Sequence, residues 1–176
     1  MEWTYHSNAI EGSSITLAWT KAILADGLTV GGKSLREHLE VINHKHAIDF
    51  VEALAAGREP LTEHTIRQIH ALILRAIGSN YVPPDPSAVP PLMHDFGLWL
   101  NSQEAQALHP VELAAPAHFK LVDIHPFVDG NGRTARLLMN LLLLRNGYPL
   151  AIIRNEDRSR YMTCWKKPIR VRRPIL

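Results

Sequence analysis

The stretch His125-Pro126-Phe127-Val128-Asp129-Gly130-Asn131-Gly132-Arg133-Thr134-Ala135-Arg136 decides the fold, because an apolar segment, Leu137 to Leu144, follows it directly. Such a segment predicts a buried helix. The stretch therefore opens onto a helix N-terminus, where unpaired N–H groups and the helix dipole favour an anion. Gly130 and Gly132 permit positive φ and close backbone approach, so successive N–H groups can converge on phosphate oxygens.

Four side chains of this stretch form a candidate site for phosphate chemistry. Arg133 and Arg136 lie three residues apart, on one helix face, and a guanidinium group binds phosphate through its fork of N–H donors. Asp129 offers the oxygen ligands that Mg²⁺ takes together with nucleotide phosphates. The imidazole of His125 can accept a proton near neutral pH. An ordinary capped turn is the alternative, but it explains neither the two glycines nor the two arginines.

The stretch resembles the signature of the Fic (Fido) family, His-Pro-Phe-x-Asp-Gly-Asn-Gly-Arg-x-x-Arg, with every fixed position present. The resemblance extends from about Tyr5 to Tyr161 and includes Asn146-Gly147-Tyr148-Pro149. It implies an all-α, Fic-type helical bundle with the signature loop at the N-terminus of a buried central helix. It also implies an enzyme that transfers AMP from ATP to a protein hydroxyl group.

The resemblance assigns a role to each signature residue. His125 would accept the proton of a target Ser, Thr or Tyr hydroxyl group, and Asp129 would hold Mg²⁺ against the α- and β-phosphates of ATP. The amides of residues 130–132, with the side chains of Asn131 and Arg133, would neutralise charge that develops on the phosphate. Phe127, in contrast, is expected to anchor the loop in the core.

A second motif lies near the N-terminus. The run Ser7-Asn8-Ala9-Ile10-Glu11-Gly12 resembles the inhibitory Ser/Thr-x-x-x-Glu-Gly/Asn motif of one Fic class. In that class the glutamate pairs with the second signature arginine, here Arg136, which would otherwise grip the ATP γ-phosphate. Alone, Ser7 could be a helix cap and Glu11 a solvated charge. Beside an intact signature, the motif predicts self-inhibition through Ser7, Glu11 and Gly12.

Composition limits the class of protein. The chain has 176 residues, of which 46% are hydrophobic, so it can form one globular domain with a substantial core. A single cysteine excludes an internal disulfide and favours a reducing cytoplasm, and no apolar segment predicts a membrane span. Five cations lie in the last eleven residues and leave the remainder net negative, so no nucleic-acid-binding face is predicted.

Helix signals cover most of the chain. Helices are predicted over Leu17–Leu24 and Ser34–Ala56, and a third helix is predicted to begin after a cap at Thr62. An irregular connection is predicted at Tyr81–Pro91, followed by a helix that ends at about Asn101. The last of these helices is predicted from Pro110 to Ile124, with Pro116 as a misfit inside it. The buried stripe of the second helix is predicted from its apolar spacing as Leu35, Leu39, Ile42, Ala47, Phe50 and Leu54. Histidines outside the signature are interpreted as surface or core residues.

Two segments depart from the family pattern. Fic proteins usually carry a β-hairpin flap that aligns the target segment by strand pairing. Here Leu74-Arg75-Ala76-Ile77 runs directly into Gly78-Ser79-Asn80-Tyr81-Val82-Pro83-Pro84, which resembles only the far end of a flap. The flap is therefore expected to be shortened or absent.

The C-terminus departs more sharply after Tyr161, a position where family aromatics help to hold adenine. Tyr161-Met162-Thr163-Cys164-Trp165-Lys166-Lys167-Pro168 back-translates to TAY ATG ACN TGY TGG AAR AAR CCN. Read from the third base, these codons become YAT GAC NTG YTG GAA RAA RCC, which encode Asp, then Leu, Val or Met, then the family-like Leu-Glu. We interpret 1–161 as the Fic domain, with its inhibitory segment at about 5–12, and 162–176 as a frameshifted basic tail. A genuine basic tail is the alternative.

The sequence thus favours a self-inhibited protein adenylyltransferase that uses ATP, Mg²⁺ and a protein target. Two alternatives stay open: removal of AMP, with Glu11 positioning a water molecule, and a remnant that binds nucleotide without transferring it. Gly32-Lys33-Ser34-Leu35 resembles a segment found in some family dimers, so a homodimer is possible, although Leu35 is expected to be core.

Overall fold

The computed structural model describes residues 1–77 and 89–164, which form α-helices, one short 3₁₀ helix and no strand. The helices are α1 (Glu2–Ile10), α2 (Leu17–Asp26), α3 (Leu35–Ala55), α4 (Glu63–Ile73), α5 (Val89–Leu100), α6 (Gln103–Gln106), α7 (Pro110–Ile124), α8 (Asn131–Arg145) and α9 (Arg158–Cys164), with the 3₁₀ helix at Asn155–Asp157. The predicted all-α class is confirmed.

Helix α8 is the centre of the bundle. Leu137, Leu138 and Leu141 are fully buried, and α3, α4 and α7 pack around them, with α1 beside the first turns. Full burial of each leucine side chain stabilises the fold by roughly 1.5–3 kcal/mol. The prediction of a buried helix directly after the signature is confirmed, and this helix positions the signature loop.

Local signals set most helix starts. Ser34 and Glu37 form a reciprocal capping box at α3, and the hydroxyl group of Thr62 accepts a hydrogen bond from the amide of Thr65 at α4. Helix α5 begins at Val89, inside the connection that was predicted as irregular up to Pro91. Prolines are tolerated there because a helix leaves its first amides without intrahelical acceptors.

Helix α7 continues through Pro116, as predicted. The missing proline N–H leaves the carbonyl group of Glu112 without its intrahelical donor. Because Glu112 is exposed, water can bond that carbonyl group, which reduces the cost of the misfit.

The predicted buried stripe of α3 was wrong at Leu35, but four of its six positions lie in or pack against the apolar clusters: Ile42, Ala47, Phe50 and Leu54. Of the predicted stripe only Ala47 is fully buried, and Leu35 is 75% exposed. The buried face includes His38, Asn43 and His44. Asn43, for example, donates hydrogen bonds to the carbonyl groups of Ile73 and Arg75, at 3.2 and 2.7 Å. The same face carries Val41, Ala47, Ile48 and Val51, so only its polar members escape a hydrophobic pattern.

The N-terminal motif is the end of a helix and the turn after it. Ser7 lies inside α1 rather than at its N-terminus, so its interpretation as a cap is wrong. Asn8 donates to the carbonyl group of Glu40 at 3.1 Å and thereby fastens α1 to α3. Gly12 follows with φ +99°, a conformation that favours glycine.

The predicted loss of the flap concerns residues 78–88, which lie outside the described residues, as does the tail from residue 165 onward. Residues 162–164 continue α9. No helix in the described part of the chain is both long and apolar enough to span a membrane.

Candidate functional site

His125 ends α7 with its side chain exposed. Its backbone adopts the left-handed conformation, φ 51° and ψ 54°, and its amide bonds the carbonyl group of Leu121 at 3.2 Å. A residue with a Cβ atom pays about 1–2 kcal/mol for this conformation, a strain that is typical of functional positions. Its imidazole makes no hydrogen bond with the described residues, so both ring nitrogens can reach a ligand.

Asn131 braces the signature loop from inside. Its side-chain oxygen accepts a hydrogen bond from the amide of Phe127 at 3.0 Å, and its Nδ2 donates to the carbonyl group of Phe127 at 2.6 Å. Both ends of this amide hold the loop, which leaves the second N–H of Nδ2 for the predicted contact with phosphate. Its backbone N–H, at the start of α8, is still free of an intrahelical acceptor.

His70 is a loop residue that sequence reasoning missed. Its ring stacks on Phe127 with centroids 3.7 Å apart and planes 10° apart, which confirms Phe127 as a buried anchor. Burial lowers the pKa of His70. Since a carbonyl oxygen only accepts, Nε2 of His70 donates to the carbonyl group of Asp129, 2.9 Å away.

The two signature glycines serve different purposes. Gly130 caps α8 with φ +78°, as predicted. Gly132 has no positive φ, so that part of the prediction is wrong. Its requirement is space, because a Cβ atom there would lie 2.5 Å from Oε1 of Glu11 and 3.1 Å from Nη1 of Arg136.

Arg136 joins the N-terminal motif to the signature. Its side chain is only 2% exposed, and Nη2 donates to Oε1 of Glu11 at 2.8 Å. Ser7 accepts twice, from Nε at its hydroxyl group (3.0 Å) and from Nη2 at its carbonyl group (2.9 Å). The tertiary structure thus brings together Ser7, Glu11 and Arg136, as the motif predicted.

Tyr161 and His118 complete the surroundings of Arg136. Nη1 of Arg136 donates to the hydroxyl group of Tyr161 at 3.2 Å, and that group lies 2.9 Å from Nε2 of His118. Burial lowers the pKa of His118 to about 4 and raises the pKa of Tyr161 to about 12. At neutral pH both groups are therefore uncharged, and the hydroxyl group of Tyr161 and Nε2 of His118 share one hydrogen bond whose direction depends on the histidine tautomer.

Asp129 and Arg133 belong to a ring of alternating charges with Arg36 and Glu40. Asp129 contacts Arg133 at 3.4 Å and Arg36 at 2.9 Å, and Glu40 contacts the same two arginines at 3.6 and 3.3 Å. Arg133 is buried and its guanidinium group is shared between the two carboxylates, while its predicted contact with phosphate stays a prediction. The described residues contain no cluster of three potential metal ligands from His, Cys, Asp and Glu.

Arg36, Glu40, His70 and His118 were not predicted as site residues. Arg36 alone carried a local signal, since a cation in the first turn of a helix opposes the helix dipole. These four residues lie on α3, α4 and α7, outside the signature, so the spacing of the signature residues could not predict their contacts in the site.

Comparisons with known proteins identify relatives of this chain that carry the Fic name. Residues 60–143 match the family model described as the Fic/DOC family. "Protein adenylyltransferase Fic" of Drosophila melanogaster is 43% identical over 89% of this chain and 35% of its own length, and that of Nematostella vectensis is 44% identical over 89% and 40%. The chain thus spans about a third of the length of the first curated relatives it matches.

Solved structures give the same result. Fic-1 of C. elegans, residues 134–508, superimposes with a TM-score of 0.83 at 38% identity, covering 92% of this chain and 52% of that one. A Fic domain-containing signalling protein of Bacteroides thetaiotaomicron superimposes with a TM-score of 0.87 at 34% identity, covering 94% and 70%. The chain belongs to the Fic/DOC family.

Proposed function

We propose that this chain is the catalytic domain of a protein adenylyltransferase, which transfers AMP from ATP to a Ser, Thr or Tyr hydroxyl group of a target protein and is held inactive by Glu11. The observation that carries this proposal is the 2.8 Å ion pair between Glu11 and Arg136 within an intact signature. The names of the curated relatives support the same activity.

In the transfer, the target oxygen attacks the α-phosphorus of ATP, and the bond from that phosphorus to the oxygen bridging to the β-phosphate breaks. Pyrophosphate leaves, and the hydroxyl proton passes to His125. The exposed imidazole at the end of α7, with no hydrogen bond to the described residues, suits this role.

The start of α8 offers the phosphate site. Thr134 is the first residue after the cap whose amide bonds back into the helix, to the carbonyl group of Gly130 at 2.9 Å. The amides of residues 131–133 can therefore donate to phosphate oxygens, and the helix dipole adds to their attraction. Tyr161, expected from the family to help hold adenine, lies beside the same helix through Arg136.

Asp129 fits the Mg²⁺ that the family implies. Its side chain is 34% exposed, and a single accessible carboxylate beside a phosphate site suits an ion that is usually held by one or two carboxylates together with phosphates. Bound there, Mg²⁺ would neutralise charge on the α- and β-phosphates.

Inhibition follows from the pairing of Arg136 with Glu11. Hydrogen bonds to Ser7, Glu11 and Tyr161 occupy four of the five N–H groups of the guanidinium, and the Glu11 carboxylate also neutralises the charge that would otherwise bind the γ-phosphate. Without that contact the triphosphate would not be aligned for attack at the α-phosphorus.

Incorporation of label from α-³²P-ATP into protein tests this function. The wild-type chain should incorporate little label, Glu11→Gly should incorporate much more, and adding His125→Ala should abolish incorporation. Glu104→Gly, at an exposed glutamate of α6, is the matched control and should behave as wild type. Absence of label in Glu11→Gly, despite measurable binding of Mg-ATP, would contradict transfer and favour the remnant that binds nucleotide only.

Removal of AMP is the second candidate function, and one observation favours it. Glu11 uses Oε1 for Arg136, whereas Oε2 accepts no hydrogen bond from the described residues and the side chain is 38% exposed. A carboxylate in this position can activate water. Protein labelled by Glu11→Gly should then lose AMP when wild-type chain is added and keep it when Glu11→Gln is added.

Self-association is also part of the proposed function. Leu28, two residues after the end of α2, and Leu35, the first residue of α3, are exposed where a second copy can cover them. Sedimentation velocity of wild type and Leu35→Asp tests this: a dimer through this surface should become a monomer in the variant, and an unchanged sedimentation coefficient would contradict it.

A further inference from the structure

Arg36 binds the carboxylate that is proposed to hold Mg²⁺. Its Nη2 lies 2.9 Å from Oδ2 of Asp129, across 93 positions of sequence. Its Nε lies 3.3 Å from Oε1 of Glu40, on the next turn of α3. The guanidinium group thus bridges two carboxylates at the edge of the signature loop.

The two oxygens of Asp129 have different surroundings. Oδ1 accepts a hydrogen bond from the amide of Gly130 at 2.6 Å and lies 3.4 Å from Nη2 of Arg133, which is buried. Oδ2 bonds Arg36. A metal ion would therefore coordinate Asp129 through Oδ2, because the loop itself already engages Oδ1. That is the atom which Arg36 holds.

The position of Arg36 is poorly explained by helix stability. It lies in the first turn of α3, where the helix dipole disfavours a cation. An arginine that precedes its glutamate by four residues is also in the less favourable order for an ion pair on a helix. The side chain is 50% exposed, so its contacts add little to stability.

We propose that Arg36 is a competing cation that sets the Mg²⁺ concentration at which nucleotide binds productively. This inference rests on the proposed function. Two cations cannot share Oδ2 at short range without repulsion, so Mg²⁺ must displace Arg36. Glu40 makes the displacement feasible, since it already contacts Nε and can keep the released guanidinium paired.

The test measures the dissociation constant of ATP by calorimetry over a series of Mg²⁺ concentrations, in the Glu11→Gly background. Arg36→Gln should lower the Mg²⁺ concentration at which the strengthening of ATP binding is half-maximal by about two- to fivefold, the range expected for one exposed ion pair. Arg36→Glu should lower it further, and Arg36→Lys should stay close to the parent.

Lys45→Gln is the matched control. Lys45 lies on the same helix, is similarly exposed, and pairs with an acidic residue four positions along, Asp49. Removing its charge should leave the Mg²⁺ dependence unchanged. An equal shift in Lys45→Gln would overturn the proposal, because net charge alone would then explain the effect.

Two further outcomes are decisive. Tight ATP binding with the same Mg²⁺ dependence in Arg36→Gln, or a higher Mg²⁺ requirement, would overturn the role of Arg36 and leave the proposed function intact. Failure of every variant to bind ATP would count against the proposed function. In that case, titration with Mn²⁺ alone, followed by water-proton relaxation, still decides the competition, since Arg36→Gln should bind the ion more tightly than the parent.

Discussion

Glu11 and Gly132 are fitted to each other: a Cβ atom on Gly132 would lie 2.5 Å from Oε1 of Glu11. Gly132→Ala should therefore push the carboxylate away from Arg136. In the wild-type chain this should lower the free energy of unfolding, whereas in Glu11→Gly the same change should cost less, because only the 3.1 Å contact with Nη1 of Arg136 remains and alanine favours helix. Urea denaturation of the four proteins should give a coupling energy of about 1–2 kcal/mol.

Gly132→Ala should also weaken inhibition by Glu11. The comparison of Gly132→Ala with and without Glu11→Gly separates this specific effect from a general loss of stability. Additive effects on unfolding would mean that Gly132 and Glu11 do not contact each other in solution.

Asn131 should be a major contributor to the shape of the loop. Asn131→Ala leaves a buried amide and a buried carbonyl group of Phe127 without partners, so the free energy of unfolding should fall by about 2–4 kcal/mol. Asn101→Ala is the control, because Asn101 also donates to two carbonyl groups, those of Leu61 and Gly97, but is exposed. Urea denaturation measures both variants. An equal loss of unfolding free energy in the two would contradict a special role of Asn131 in holding the loop.

The hydroxyl group of Tyr161 should hold Arg136 even without Glu11. In the Glu11→Gly background, Tyr161→Phe should raise the KM for ATP several-fold and lower the free energy of unfolding by about 1.5–3 kcal/mol, the range for a hydrogen bond to a charged group. Tyr148→Phe is matched, since Tyr148 also bonds a histidine, His109, but on the surface. Tyr148→Phe should change the KM and the free energy of unfolding much less. Equal changes in the two variants would contradict the role of the Tyr161 hydroxyl group in holding Arg136.

His118 should make stability depend on pH. Its pKa is 6.5 unfolded and about 4 folded, so the unfolded state binds more protons between these values and stability falls as pH falls from 6.5 towards 4. Urea denaturation at about pH 7 and about pH 4.5 should show a loss from this group of about 2–3 kcal/mol. His118→Gln should not show this part of the loss of stability at acid pH. His44 and His70 contribute equally to the pH dependence of the wild type and of the variant. Parallel pH profiles would contradict the assignment.

Much of the fold is readable from neighbouring residues. The Thr62 cap, Pro110 at a first helical turn and the leucines of α8 each act on residues a few positions away, so their consequences were predicted. The buried face of α3 was predicted only in part, because the buried Asn43, which donates to carbonyl groups of Ile73 and Arg75, does not enter a hydrophobic pattern. A polar residue can be buried when its partners come from other helices, and spacing carries no record of those partners.

By itself, the sequence determined the inventory of the site: an imidazole at the end of one helix, amides at the start of the next, a carboxylate between them and two arginines. Only the tertiary structure decided which groups are available. It placed Glu11 against Arg136 from 125 positions away and Arg36 against Asp129 from 93. Backbone hydrogen bonds and helix periodicity act locally, whereas an ion pair depends on how α1 and α3 pack against α8.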